Sequence, residues 1–249
     1  MDKDFYLQYA SVEDKHWWFV GRRLIIEQAI RKLSLPKNAQ ILEVGCGTGG
    51  NLKMLTRHGQ VSAMELDETA CKIANERQVI PVKLGGLPDK IPFSNEYDII
   101  LILDVLEHLD DDLAALTALH TKLKPGGSLL VTVPAYQFLW SQHDEINHHK
   151  RRYVLKNLQH VVRKAGYTVH YSSYFNFFLF PLVAGVRYLR SSLKLESNSI
   201  DNSDLHLPPK HINKFLSLLF ASERHLINRL SLPFGVSILL LAHKSKSKL

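Results

Sequence analysis

Cysteine is nearly absent from this chain. Two in 249 residues, Cys46 and Cys71, build no disulfide framework and no zinc-ligand spacing. A reducing, cytosolic setting is the expectation. No apolar run reaches the roughly 20 residues that an ordinary membrane-spanning helix needs. The opening MDKDFYLQYA lacks the basic start and apolar stretch of a secretory leader, so none is expected. Arginine-rich arms and RNA-binding signatures are missing too, and nucleic acid is not an expected partner. There is no internal repeat and no long low-complexity tract. What remains is 45% hydrophobic and 22% charged, which excludes wholesale disorder and allows a sizeable core. The net charge of +7 has two readings. It either keeps the surface soluble or favours an anionic partner, a membrane face or an acidic substrate.

The most informative segment is ILEVGCGTGG, residues 41–50. A strand-like run leads straight into a glycine-rich turn, and Glu65 follows 20 residues after Gly45 at the end of a second apolar run. This suits a nucleoside bound at the mouth of a parallel sheet. Gly45 and Gly47 let the backbone approach a ligand with no Cβ in the way, and Glu65 is placed to accept both ribose hydroxyl hydrogens. Gly45, Gly47 and Gly50 also satisfy G-x-G-x-x-G, so a dinucleotide ligand stays open on spacing alone.

Strand and helix patterns alternate from residue 40 to 172. Apolar runs at 40–44, 60–65, 79–84, 97–103 and 127–133 predict buried parallel strands. Residues 110–124 predict a helix, with Leu113, Leu116, Leu119 and Leu123 on one stripe and Pro125 as its stop. A second helix is expected over 153–165 and a sixth strand over 167–172. The class is therefore α/β, a mostly parallel sheet covered on both faces. Residues 174–233 break the alternation: an apolar stretch, a polar linker over 191–209, then helical periodicity over 210–230. A last strand is expected over 234–243, ahead of a basic tail at 245–249. The run 175–186 is either a buried helix or, with Arg187, Arg190 and Lys194, an interfacial one.

Four segments in order resemble the class I S-adenosylmethionine-dependent methyltransferases: ILEVGCGTGG, Glu65, IPFSNEYDIILILDVLEHL and LKPGGSLLVTVP. The flanks HWWFVGRR and PAYQFLWSQHDEINHHKRRY resemble a narrower bacterial group, similar to ubiquinone-type and related small-molecule methyltransferases. The resemblance implies a Rossmann-like, doubly wound, mostly parallel seven-stranded sheet with an antiparallel last strand and a helical insertion before it. The implied organisation is a helical lid over 1–37, a cofactor-binding domain over 38–173 and 234–244, and an apolar insertion over 174–233. It further implies S-adenosyl-L-methionine as cofactor. Glu43, Gly45, Cys46 and Gly47 would cradle its methionine end, Glu65 its ribose, and Leu103 and Asp104 would flank the adenosyl group and the sulfonium. The family often carries an acid near position 86. Here the segment reads Leu84-Gly85-Gly86-Leu87, which leaves adenine to backbone groups, Leu66 and Leu87.

An acid acceptor must lose a proton on methylation, and histidine suits a general base. One candidate group is Asp104, Glu107 and His108, on one face if helical, or else a pair that fixes the loop after the fourth strand. A second is His143, Asp144, His148 and Arg152, whose four-residue spacings would let the acid orient a histidine in a helix; a structural clasp is the alternative. His143, Asp144, His148 and His149 also form a mixed set of metal-ligand types. Histidines in polar loops occur without a metal, and none is assigned. His16, Trp17, Trp18, Phe19, Arg22 and Arg23 read as a water-excluding lid or as simple docking of the first helix; Tyr136 and Arg152 join them as substrate-side candidates. The leading expectation is a methyltransferase of a small or lipid-like acceptor, at oxygen, cytoplasmic or at the inner membrane face, with membrane contact through 174–194. A non-catalytic binding scaffold and a nicotinamide-dependent oxidoreductase are the alternatives.

Overall fold

A computed structural model describes residues 3–192 and 205–246, the side chains of 3–4 and 190–192 excepted. The chain runs α1 (Lys3–Val12), α2 (Trp17–Arg31), β1 (Gln40–Val44), α3 (Leu52–Leu55), β2 (Gln60–Glu65), α4 (Glu68–Glu76), β3 (Val82–Leu84) and β4 (Tyr97–Leu103). It continues with α5 (Asp112–Thr121), β5 (Leu123–Pro134), α6 (Gln142–Ile146), α7 (Leu155–Lys164), β6 (Tyr167–Phe175), α8 (Phe180–Ser192), α9 (Lys210–Ser222) and β7 (Ser237–Lys244). The seven strands form one sheet in the order β3-β2-β1-β4-β5-β7-β6. Strands β1 to β5 are parallel, and β7 runs antiparallel between β5 and β6. This is the expected Rossmann-like α/β sheet.

Why these segments pair is visible in their period of two. Along β4, Ile99, Leu101 and Leu103 enter one core with Ile25, Ile26, Ile30 and Phe220, while Ile100 and Ile102 enter the other with Leu116, Leu119, Leu158 and Val162. Both faces are covered, so every position in such a strand is apolar, and continuous runs rather than alternation mark it.

The limits of β1, β2 and β4 match the sequence reading; others move for local reasons. β3 is shorter than expected, because the Asn75 side chain both donates to the Val82 carbonyl and accepts from the Val82 amide, each at 3.0 Å, fixing where the edge strand starts. The helix expected to 124 ends at Thr121. Leu123, expected on its stripe, instead opens β5 opposite Tyr97, and Pro125 lies inside that strand. β6 extends to Phe175, which takes Tyr174 and Phe175 out of the expected insertion. Leu179, Phe220 and Ile227 from the same segment also pack into the core. The linker expected over 191–209 and the tail at 245–249 lie largely outside the described residues.

Parallel strands end on one side. After β1 the chain crosses to β2, whereas β4 lies on the other flank of β1, so a crevice opens beyond the carboxyl ends of these strands.

Candidate active site

That crevice is a cavity of about 1560 Å³. Single-ligand pockets run to about 1,000 Å³, so it has room for two molecules. Gly45 and Gly47 form its β1 edge, with φ of +68° and +55°. A Cβ on Gly45 would lie 2.6 Å from Val105, whereas one on Gly47 would meet nothing within 4 Å, because that position faces open cavity. Glu65, at the tip of β2, is 8% exposed and lines the wall. Its Oε2 accepts from the Gly47 amide at 2.7 Å, and its Oε1 from the Leu66 and Asp67 amides at 2.8 and 3.0 Å. Burial raises its pKa, and the three amides counter that. The free lone pair on Oε2 suits a nucleoside hydroxyl. Leu66, Gly85, Gly86 and Leu87 continue the wall beyond Glu65. Cys46 lines it as a buried, free thiol.

Glu43 stands one layer back. It is absent from the cavity wall among the described residues, accepts from Asn51 at 2.8 Å and keeps a buried, unpartnered Oε2. Burial pushes it up to about 7. Its partner Asn51 does line the cavity, whereas direct contact of Glu43 with the cofactor was the expectation.

Leu103 and Asp104 end β4 in the wall. Asp104 takes φ +56° and binds Arg22 at 2.5 Å, and Thr132 donates to it at 3.2 Å. Arg22 also lies 5.2 Å from the Trp18 ring. His16 caps α2, accepting from the Trp18 amide at 3.3 Å, and Trp17 packs edge-on against Phe220. These N-terminal residues line the cavity from its side, but α2 itself is docked on the sheet. From α1, Tyr6 and Tyr9 also line the wall; burial, then the charges of Glu65 and Asp67, raises the Tyr6 phenol. Buried Glu13 locks α1 down, binding Arg77 and accepting from the Thr48 hydroxyl. Arg23 reaches the Glu13 carbonyl at 2.7 Å, and Arg77 the Thr48 carbonyl at 2.6 Å. Sequence reasoning missed Tyr6, Tyr9 and this clasp, for no spacing links Glu13 to Arg77.

The loop after β5 corrects another expectation. α6 ends at Ile146 and His148 adopts φ +54°, so Asp144 does not meet His148. Asp144, fully buried, takes Arg152 through both oxygens at 2.7 and 2.9 Å and His149 at 2.8 Å. Burial would raise its pKa, but His149 and Arg152 hold it well below the usual carboxylate range. Asp144 and Arg152 are thus a clasp, and Arg152 lines the cavity together with His143, exposed His148 and His149. Tyr136 stacks on Tyr174 at 4.9 Å in an aromatic cluster and is not part of the wall among the described residues. Glu107 and His108 do belong to it, in a 3-10 turn after β4. Burial, then the Asp104 charge, raises Glu107 well above its ordinary range; burial, then His149, lowers His108 to about 4.

A family model described as a methyltransferase domain matches residues 19–172, more than half of the chain. The ubiquinone biosynthesis O-methyltransferase of Xanthomonas campestris is 28% identical over 114 residues, 43% of this chain and 47% of that protein. A chain of the Haloferax volcanii complex between the Trm112 methyltransferase activator and a methyltransferase superposes at TM-score 0.63, with 15% identity, over 99% of this chain and 96% of its own. Phosphoethanolamine N-methyltransferase 2 of Haemonchus contortus, in complex with S-adenosyl-L-methionine, superposes at TM-score 0.58 with 15% identity, over 89% of this chain and 52% of its own. At such identity these two likenesses speak for the fold alone. The chain spans less than half the length of the curated relatives it matches, from 25% to 47% of them.

Proposed function

Since the chain belongs to the methyltransferase-domain family, we propose that it transfers a methyl group from S-adenosyl-L-methionine to a small or lipid-like acceptor, at oxygen. The observation that carries this reading is a cavity of about 1560 Å³ whose wall holds both Glu65 with open Gly47 and the histidines His108, His143, His148 and His149. The residues fit the cofactor: Gly45 and Gly47 give a backbone edge free of side chains, and Glu65 offers a carboxylate lone pair that would accept from a ribose hydroxyl. The Leu66 and Leu87 side chains supply apolar contact beside them for a base. When bound, the cofactor supplies a methyl carried on a cationic sulfonium, which needs alignment more than acid–base help.

The chain's own residues would do the rest. Asp104, in the cavity wall and held in place by Arg22 and Thr132, would flank the sulfonium. Tyr6, Tyr9, Trp17 and Trp18 exclude water, which strengthens every charge interaction inside. His143 and His148, both in the cavity wall, would be the groups to take up an acceptor proton. Leu182 and Val186 of α8 also line the cavity and are themselves solvent-exposed, giving an apolar acceptor a path from the surface. The exposed Ile212, Phe215 and Leu218 on α9, with Lys210 and Lys214 beside them, favour contact with an anionic membrane face. No helix among the described residues is long and apolar enough to cross a membrane.

The test is calorimetric titration with S-adenosyl-L-methionine and with NADH, followed by incubation with methyl-labelled donor and lipid and metabolite extracts. Donor binding and a labelled product support the reading. Donor binding with no product in any extract favours the scaffold alternative. NADH binding without donor binding overturns both.

A further inference from the structure

Two polar side chains in the cavity wall have no assigned duty in holding the cofactor. Asn176, just past β6, is 1% exposed, and its Oδ1 accepts no hydrogen bond from any described residue. Ser237, 4% exposed, opens β7 and pairs with Phe175, the residue before Asn176. The two are therefore neighbours where β6 ends and β7 begins. Their setting is apolar: Val236 adjoins Ser237 in the chain, Pro134 pairs with it from β5, and both line the cavity.

Asparagine tolerates the left-handed backbone found here, φ +58°. That accounts for the residue type, but not for a side-chain carbonyl buried with nothing to accept from, which native folds ordinarily avoid. The segment is not loose. The Phe178 amide donates to buried Glu223 at 3.0 Å, and the Asn176 and Phe177 amides lie near the same carboxylate. Phe177 stacks on Phe234 at 4.5 Å. Gly235 lies so close to Phe175 that a Cβ would stand 2.4 Å from the Phe175 carbonyl oxygen. The backbone is thus fixed, while the amide plane of Asn176 turns easily about χ2 to meet a ligand. The pair also lies far from the nucleoside end. In the strand order, four spacings separate Glu65 on β2 from β7, about 19 Å, and two separate Asp104 after β4 from it, about 10 Å.

We propose that Asn176 and Ser237 form a subsite for a hydroxyl group that the acceptor carries on a part remote from the atom methylated. The hydroxyl donates to Asn176 Oδ1 and accepts from the Ser237 hydroxyl, which satisfies both side chains. A carboxylate, a phosphate or a bare hydrocarbon brings no proton for Oδ1 and leaves it buried and unpaired, so each is disfavoured. The acceptor class is then a hydroxylated amphiphile, with an apolar body and a second hydroxyl about 10 Å from the methyl-accepting atom. That this ligand is the methyl acceptor rests on the methyl-transfer reading; the hydroxyl subsite does not.

The experiment titrates the full chain, with no methyl donor present, with 1-octanol and with its isomer 1-methoxyheptane, which lacks the O–H donor. Heteronuclear NMR follows the Asn176 side-chain amide, assigned by its loss in Asn176→Gly, a change that the left-handed backbone accepts. The alcohol is expected to move that resonance and to bind about tenfold more tightly than the ether, the worth of one buried hydrogen bond. Asn176→Gly should bring the two affinities together by weakening the alcohol alone. Ser237→Ala should weaken both alike, because either oxygen can accept from the serine. Should Asn176→Gly fail to fold, Asn176→Asp supplies the assignment and, keeping an acceptor oxygen, should retain the preference; the ratio in the unaltered chain needs no variant. Equal affinities in the unaltered chain, no binding of either compound, an amide resonance that stays put, or a preference undiminished in Asn176→Gly overturns the subsite. Titrating the same preparation with S-adenosyl-L-methionine separates the two readings: donor binding without the alcohol preference removes only the subsite, and the reverse removes only methyl transfer.

Discussion

Glu65 does two jobs with one carboxylate. Its three amide partners shape the turns after β1 and β2, and its remaining lone pair faces the cavity. Glu65→Ala is therefore expected to weaken S-adenosyl-L-methionine binding by about 1–3 kcal/mol, the scale of lost charge-assisted hydrogen bonds, and to lower the melting temperature as well. Calorimetry that finds donor affinity intact would remove the ribose assignment. His143→Ala and His148→Ala should cut turnover, by roughly 100-fold for whichever acts as base, with donor affinity nearly unchanged. Normal turnover in both would make the loop structural. That the glycines, Glu65 and Asp104 would line the cavity was legible because they sit at strand ends, which apolar runs reveal. The choice of partner was not. Asp144 sits four residues from His148, yet α6 stops too early for that spacing to act, and the acid turns to His149 and Arg152 instead. Glu13 was invisible for a different reason: its partners Thr48 and Arg77 are brought to it only by the packing of α1 on the glycine turn.

At the scale of elements, α2 shows packing overriding propensity. Gly21 lies mid-helix, where alanine is ordinarily better by about 1 kcal/mol. Here a Cβ would stand 2.5 Å from Phe220 Cδ1 and 3.2 Å from its Cβ, so the clash reaches the root of a fully buried ring on α9. Gly21→Ala is expected to destabilise the fold by about 1–3 kcal/mol, and Phe220→Leu in the same chain to recover part of it. Urea melts showing Gly21→Ala as stable as the parent would mean that α2 and α9 shift apart freely.

Just past α9, buried Glu223 accepts from the Phe178 amide at 3.0 Å, and burial pushes it up to about 7 despite that bond. The unfolded chain releases this proton near 4.5, the folded chain near 7. Between those values the unfolded state binds fewer protons, so stability falls as pH rises and levels off above 7. Glu223→Gln keeps an acceptor for Phe178 and has no proton to lose. Its stability at pH 7.5 relative to pH 5 should therefore drop less than the parent's, a difference on the order of a few kcal/mol. Parallel stability–pH curves would show that Glu223 is ionised in the fold. Neither Phe220 nor Glu223 stood out in the sequence. The segment holding them reads as a peripheral insertion because its apolar periodicity is broken by polar and proline residues, and only the sheet's exposed face explains why it folds back.

For the whole molecule, the remaining question is where the acceptor comes from. The net charge of +7 carries no address by itself. The outward stripe of α9, with Ile212, Phe215 and Leu218 at 43–63% exposure and Lys210 and Lys214 alongside, does have the composition of an interfacial helix. Removing the segment outright would not test this, since Leu179, Phe220 and Ile227 would leave the core with it. Phe215→Ser with Leu218→Ser removes only exposed apolar surface, so the fold should hold. Flotation with anionic vesicles is expected for the parent, weakened by added salt, and largely lost in the double variant. Turnover on a detergent-dispersed acceptor should stay near the parent's, because neither residue lines the cavity. Leu182→Ser should do the opposite: Leu182 is part of the cavity wall, so acceptor use should fall more than flotation does. If parent and double variant float alike, or neither floats, the membrane route is wrong, and the acceptor must reach the histidine-lined wall from solution.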